Sequence, residues 1–215
     1  MAWQGGEFHN GGTKLQEQFH RCGETKLQEK EDHSQMISTI NVGIEGITPL
    51  IVNRFHEEAQ EAASSGEHSR KERPSPQDDA ANRLYQNGNG IFYPAENIRQ
   101  SLIGAASRHK IGRRAATADM AASIFVTPFE LPLEGEWHVD SRPVVIQRAR
   151  IVRHRPMFDE WLIRFQIQID TDLVSERLVR LVLEDAGKLV GIGDFRPAKK
   201  GQYGRFSVSS WEKQV

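Results

Sequence analysis

The stretch Ala186-Gly-Lys-Leu-Val-Gly-Ile-Gly-Asp-Phe-Arg-Pro-Ala-Lys-Lys-Gly-Gln-Tyr-Gly-Arg-Phe-Ser-Val-Ser-Ser-Trp211 decides the reading of this chain. A helix-like pattern runs out at Ala186-Gly187, and a strand is expected to begin near Tyr203. Between them Gly191, Gly193, Gly201 and Gly204 are interleaved with Arg196, Lys199, Lys200 and Arg205. Glycine reaches backbone conformations closed to other residues and lets a polyanion approach the main chain. Lysine and arginine beside it supply charge for phosphates. Taken alone, such a loop is equally a tight, solvated connection between a helix and a last strand. Its surroundings decide between the two.

Immediately upstream, a helix is expected whose buried stripe is Val174, Leu178, Leu181 and Val182, with N-cap choices at Asp170-Thr-Asp172. Before it, Trp161, Ile163, Phe165, Ile167 and Ile169 alternate with Leu162, Arg164, Gln166 and Gln168, the period of a half-buried strand. Further strands are expected over Ser123–Leu131 and Pro143–Val152, broken by Pro128, Pro132 and Gly135. A helix with Ile98, Leu102, Ala105 and Ala106 on one face follows the extended Ile91-Phe-Tyr-Pro94, since proline is tolerated at a helix start. The first strand starts at Met36, with Ser38, Ile40, Val42 and Ile44 on the same face.

Residues 53–90 are too long for an ordinary connection and read as an insertion, with helical pieces at Arg54–Ala63 and Asp78–Leu84 and a turn at Asn87-Gly-Asn-Gly90. Residues 1–35 are rich in Gly, Gln, Glu, Lys and His and read as a flexible arm ahead of a domain spanning 36–215. Mobility is expected for this arm and for much of 60–80. Thr13-Lys-Leu-Gln-Glu17 returns as Thr25-Lys-Leu-Gln-Glu29, but one echo is no repeat architecture. His9, His20, Cys22 and His33 match no zinc spacing, so neither a metal nor another cofactor is expected.

Stripped of insertions, the order is βαββαβ: an α+β, ferredoxin-like, RRM-type core with a long insertion and a C-terminal Gly-rich loop. The sheet face opposite the helices would show Thr39, Asn41, Arg164, Gln166, Gln168, Arg205 and Ser207. It is expected to be polar, without the aromatic pair on which RNA recognition motifs stack bases.

With that core in place, Gly191-Ile-Gly193 through Gly201-Gln-Tyr-Gly204-Arg-Phe206 resembles the glycine-rich signature of the RAMP superfamily, which includes the backbone subunits of CRISPR effector complexes. Ile91-Phe-Tyr-Pro-Ala-Glu-Asn-Ile-Arg-Gln-Ser-Leu-Ile-Gly-Ala-Ala106 is similar to that family's first helix, which carries basic residues facing RNA. The resemblance covers 36–211. It implies RNA binding, assembly of copies along a strand, and other effector subunits as further partners. A stand-alone relative from a phage or mobile element fits a chain of 215 residues, which has no obvious second insertion of the kind that forms a thumb.

Charge supports a nucleic-acid partner independently. The net charge is −1, yet the distribution is polarised. Arg99, Arg108, Lys110, Arg113 and Arg114 fall within 97–114 without an acid. Arg142, Arg148, Arg150, Arg153 and Arg155 fall within 142–155, also without one. Residues 57–79, in contrast, hold seven acids. The arginine fork suits phosphate oxygens and stacking on bases. A single cysteine excludes an intramolecular disulfide framework, and no apolar run approaches the roughly 20 residues of a membrane helix, so a cytoplasmic protein with no membrane partner is expected.

His109 and His154 are the only candidates for acid–base chemistry, and no GxSxG, HExxH, Walker or CxxC pattern occurs. The sequence therefore points to a non-enzymatic single-stranded nucleic-acid binder, RNA before DNA, that oligomerises along the strand. In it Arg99, Arg108, Lys110, Arg113 and Arg114 grip phosphates from the first helix, and Arg148, Arg150, Arg153 and Arg155 line the strand side. Arg196, Lys199, Lys200, Gly201, Gly204 and Arg205 close over it. The alternatives are a RAMP-type RNA endonuclease using one of the two histidines, or a phage structural or interaction protein.

Overall fold

Alternation in two segments sets the centre of the fold. Ile40, Val42 and Ile44 of β1 (Ile37–Gly46) and Ile163, Phe165, Ile167 and Ile169 of β11 (Leu162–Asp170) are all buried. The two strands pair antiparallel, Ile37 opposite Asp170 through Glu45 opposite Leu162, so the apolar sets face the same side. The computed structural model describes residues 36–54, 74–146 and 149–214. The arm expected over 1–35, most of the insertion (55–73), the first helical piece beyond Arg54, Arg148 and the side chains of 144–150 lie outside the described residues.

In chain order the remaining elements are β2 (Leu50–Ile51), α1 (Pro76–Ala81), β3 (Gln86–Asn87), β4 (Gly90–Pro94), α2 (Ala95–Ala106), β5 (Lys110–Ile111), β6 (Arg114–Ala115), α3 (Thr117–Ser123), β7 (Ile124–Thr127), β8 (Glu130–Glu134), β9 (Trp137–Ile146), β10 (Ala149–Phe158), α4 (Glu176–Asp185) and β12 (Phe206–Lys213). The main sheet runs β12, β1, β11, β8, β4, β3, with β7 also paired to β11. Its pairings are antiparallel, which makes the domain α+β. From β1 the chain passes through β4, α2 and α3 to reach β7 and β8, and from β11 it passes through α4 to β12; in each case one strand of the sheet lies between the first and the last. Both helices cover the apolar face, with Ile98, Leu102, Ala105 and Ala106 of α2 fully buried. At about 1.5–3 kcal/mol per buried large aliphatic side chain, this layer is what holds the sheet to its helices.

Four expectations need correction. The helix upstream of the loop starts later than Asp170-Asp172 allows: Ser175 is its N-cap, accepting from the Leu178 N–H at 3.3 Å. Its buried stripe is therefore Val179, Val182 and Leu183, while Leu181 is 44% exposed. The last strand begins at Phe206, because a π-helical turn, Ala186–Val190, carries the chain past Gly187 and the loop occupies 191–205. The strand expected over 143–152 is a long hairpin, β9 against β10, which with β2 forms a second three-stranded sheet. In sequence, Gln147-Arg148 between the two strands includes none of the glycine, proline or asparagine that marks a turn. Finally, the open sheet face does carry an aromatic pair: Phe125 and Phe129, edge to face at 5.7 Å, are 46% and 72% exposed. Phe125 lies opposite Gln168, on the same face as the amides of Gln166 and Asn41.

The segment expected to be mobile near residue 80 ends in the short helix α1, capped by Ser75, whose hydroxyl accepts from the Asp78 N–H at 3.1 Å. Among the described residues no helix is long and apolar enough to cross a membrane.

Lys213 of β12 donates to Glu176 at the start of α4, 2.6 Å away, and this ammonium holds the Glu176 carboxyl below its ordinary range. A lowered carboxyl contributes stability above its unfolded value of about 4.3, lost as pH falls through the folded value. Glu176→Gln should lower stability near pH 7 by about 0.2–1 kcal/mol, with the gap closing below pH ~4. Urea titrations across pH that show a constant gap, or none at pH 7, would rule this linkage out.

Candidate nucleic-acid interface

The two stretches singled out in the sequence meet at one cleft. On α2, Asn97, Gln100, Ser101 and Gly104 recur at helical spacing and form the face opposite the loop. Facing them are Val190 to Asp194, Arg196, Ala198 and Lys199, and between them lie Val52, Asn53, Tyr85 and Tyr93. The cleft measures about 490 Å³. Its floor is buried (Val52, Tyr93, Ser101, Ile192), and Asn53, Gln100 and Lys199 stand exposed at its rim.

The loop reaches this position because its backbone is used internally. Gly191, Gly193 and Gly204 have φ of 68°, 74° and 64°, which any L side chain adopts only with strain. The Ile192 N–H donates to Gly204 O at 2.9 Å, Asp194 N–H to Ile51 O at 2.8 Å, and Gly204 N–H to Pro49 O at 2.8 Å. The Gly193 N–H donates to the Tyr93 hydroxyl at 2.8 Å, and burial pushes that hydroxyl's pKa well above its ordinary value. A Cβ at Gly201 would collide with the Phe195 carbonyl, and one at Gly204 with the Ile192 carbonyl. The space these two glycines leave is therefore filled by the loop's own backbone. Ligand contacts from the loop fall to side chains.

Those side chains separate into three groups. Lys199, Lys200 and Arg205 are exposed and form no ion pair among the described residues. Arg196 lines the cleft and donates to Gly193 O at 2.9 Å. Arg108, Lys110, Arg113 and Arg114 lie just beyond the C-terminus of α2, on the β5–β6 hairpin and its approach; all four are exposed, and Arg114 is 3.9 Å from Asp119.

The remaining arginines serve the fold. Arg99 points away from the cleft, donating to Ala121 O at 2.6 Å and Ile124 O at 3.5 Å, which ties α2 to the end of α3. Arg155 is 4% exposed and cannot meet a strand at the surface. It donates to Asp194 at 2.5 Å and lies over the Phe195 ring at 4.8 Å, fastening β10 to the loop. Arg153 is half-buried opposite Arg142, which lies over the Tyr203 ring at 4.6 Å. A hydrogen bond to Asp140 at 2.8 Å raises the Arg142 pKa further. Arg150 belongs to β10 by its backbone, its side chain being outside the described residues.

Neither histidine lines the cleft. His109 Nε2 is 2.9 Å from Asp185 and ties the end of α2 to the end of α4. His154 Nδ1 is 2.7 Å from the Ser141 hydroxyl, across the β9–β10 hairpin. Among the described residues no group of three His, Cys, Asp or Glu side chains is placed to hold a metal ion.

Sequence reading found the cations of the cleft but not its amides and tyrosines. Asn97, Gln100 and Ser101 were legible as a polar i, i+3, i+4 set on a helix whose other face is apolar. Tyr85 lies at the end of the insertion, with nothing in the sequence to bring it there.

Removing the Arg155 guanidinium would leave Asp194 without its cation and the loop without its tie to β10. Arg155→Ala should cost about 2–4 kcal/mol in a urea melt, somewhat under a fully buried pair because Asp194 is one-third exposed. A change within ~0.5 kcal/mol, the size of an ordinary surface substitution, would show that this tie does not hold the loop. No protein-family model matches the chain, and no curated protein matches it, so the reading of the cleft rests on its own residues.

Proposed function

We propose that the chain binds single-stranded nucleic acid, RNA before DNA, without catalysis, along the surface that joins the Gly-rich loop to α2. The observation that carries this is the meeting of loop and helix at a single cleft lined by Arg196 and Lys199, with further exposed cations on the same two segments: Lys200 next along the loop, and Arg108, Lys110 and Arg113 in the chain beyond the helix end. The strand order supports a ferredoxin-like core. With β7 and β8 counted as one strand and β3 and β4 set aside as part of the insertion and lead-in, the four run fourth, first, third, second, the order of a split βαβ unit. Membership of the RAMP superfamily, as a backbone-type subunit acting in the cytoplasm, is part of the same proposal.

Assembly of copies along the strand has support of a different kind. Among the described residues the open sheet face shows Phe125 and Phe129 with Glu45, Glu130, Glu134, Asp170 and Glu212 against Arg164, with Arg205 at its margin. A polyanion would be repelled there, whereas the basic β5–β6 hairpin of a neighbouring copy is of matching charge. The endonuclease reading has less behind it, since both histidines are tied to partners away from the cleft.

Single-strand binding should weaken with salt at a log–log slope of about −0.7 per phosphate contacted. The triple change Lys199→Ala, Lys200→Ala, Arg205→Ala should flatten that slope by about two units whatever the base sequence. If the folded triple variant keeps wild-type affinity and slope in filter binding, the loop is a connection only. In the same assay His109→Ala with His154→Ala should stay within a few-fold of wild-type affinity, and wild type should leave RNA intact. Metal-independent cleavage lost with either histidine would transfer the assignment to a nuclease.

A further inference from the structure

The cleft between α2 and the loop is built unlike a phosphate site. A phosphate cradle offers backbone N–H groups and open glycine space. Here the N–H groups of Gly191, Ile192, Gly193 and Asp194 all donate within the protein, and Gly204 is closed over by Ile192 O. What faces the cavity is two tyrosines, three carboxamides (Asn53, Asn97 and Gln100), the Ser101 hydroxyl, the Asp194 carboxylate and the aliphatic Val52 and Ile192.

Tyr85 is half-buried and braced by Phe92 at 5.9 Å and Tyr93 at 6.4 Å, so its ring is held at a fixed inclination in the wall. Gln100 donates to Glu96 at 2.6 Å, which fixes its amide and leaves its carbonyl oxygen to accept. Asn97, one turn earlier on the same helix face, donates one amide hydrogen toward the buried Tyr93 hydroxyl, which leaves its second hydrogen and its carbonyl oxygen for a ligand. A volume of about 490 Å³ falls within the range of small-molecule pockets, ~300–1,000 Å³. Three charged groups line the cleft: Asp194, which is paired with Arg155, and the cations Arg196 and Lys199, with Lys199 exposed at the rim.

We propose that this cleft receives one base of the bound strand, turned out of the stack, and that it favours adenine. An aromatic ring stacks on any base. A carboxamide pairs in bidentate fashion with a base that carries an exocyclic amine next to a ring nitrogen acceptor, a pattern adenine shows on two edges, cytosine on one and uracil on none. Asn97 and Gln100 supply that edge recognition, Tyr85 the stacking surface, and Arg196 with Lys199 the contact to the backbone phosphate. The inference rests on the strand-binding reading for its ligand, and it adds base selection to a surface otherwise blind to sequence.

The test compares oligo-A, oligo-U and an abasic oligomer of equal length in fluorescence anisotropy, with free adenosine monophosphate as a fourth probe. Wild type should bind oligo-A at least about fivefold more tightly than the abasic strand, the lower end of what one stacked base contributes. All three strands should share one salt slope. Asn97→Ala should abolish the preference for A over U, and Tyr85→Ala should bring oligo-A down to the abasic level, both with slopes unchanged. The abasic comparison needs only wild-type protein, so a Tyr85→Ala variant that fails to fold leaves the test intact. Equal affinity for oligo-A and the abasic strand, with a normal salt slope, overturns the base pocket and leaves strand binding standing. Absence of salt-dependent binding to every strand overturns strand binding; the pocket then survives only if adenosine monophosphate binds wild type and Asn97→Ala abolishes it.

Discussion

A guanidinium held inside a protein requires a carboxylate, and the rest of this domain is arranged around one such pairing. Arg155 leaves the second sheet and ends on Asp194 of the Gly-rich loop. Asn53 donates to the same carboxylate at 3.3 Å, and Arg83 donates to Asn53 at 3.0 Å and to Asp79 of α1 at 3.0 Å. One chain of polar contacts thus runs from the end of the insertion, past the segment after β2, into the loop and on to the hairpin. Its Arg155 end is buried, and a charge that loses its partner there has no water to replace it, whereas the two links through Asn53 are exposed. The position of the loop is therefore set from the second sheet as much as from the helix that precedes it.

The loop illustrates how glycine can serve closure and not access. Its residues make the backbone contacts of a small folded unit, and Gly187, just before it, lets the π-helical turn lie directly on the Phe206 carbonyl of the last strand. Any side chain at that point would push helix and strand apart.

How much of this was legible follows from what the sequence encodes locally. The alternation of Ile163 to Ile169, the face of Ile98, Leu102, Ala105 and Ala106, and the cationic glycine loop all repeat with the period of their own element, and they were read directly. The burial of Arg155 was not legible, since nothing near it in the chain differs from Arg153; only the loop 39 residues later, with Asp194, decides that one is inside. The β9–β10 hairpin was missed because Gln147-Arg148 carries no turn signal. The exposure of Phe125 was missed for a related reason: it lies between buried Ile124 and Val126, and a strand of four residues is too short to show which face is covered. Of the cleft, the charged rim could be seen in sequence, but its amides and tyrosines are brought together by tertiary structure.

The internal use of the loop's N–H groups has a mechanical consequence. Main-chain donors fix a phosphate to a tenth of a nanometre, whereas lysine and arginine carry their charge on long stems that swing through several rotamers. A polymer held only by such stems has no single resting position along its own length. It can advance by one repeat while each cation passes from one phosphate to the next, never releasing all of them together. On the strand-binding reading proposed above, such cations would act as a bearing along which the strand moves, and a base seated in the cleft would be what stops it.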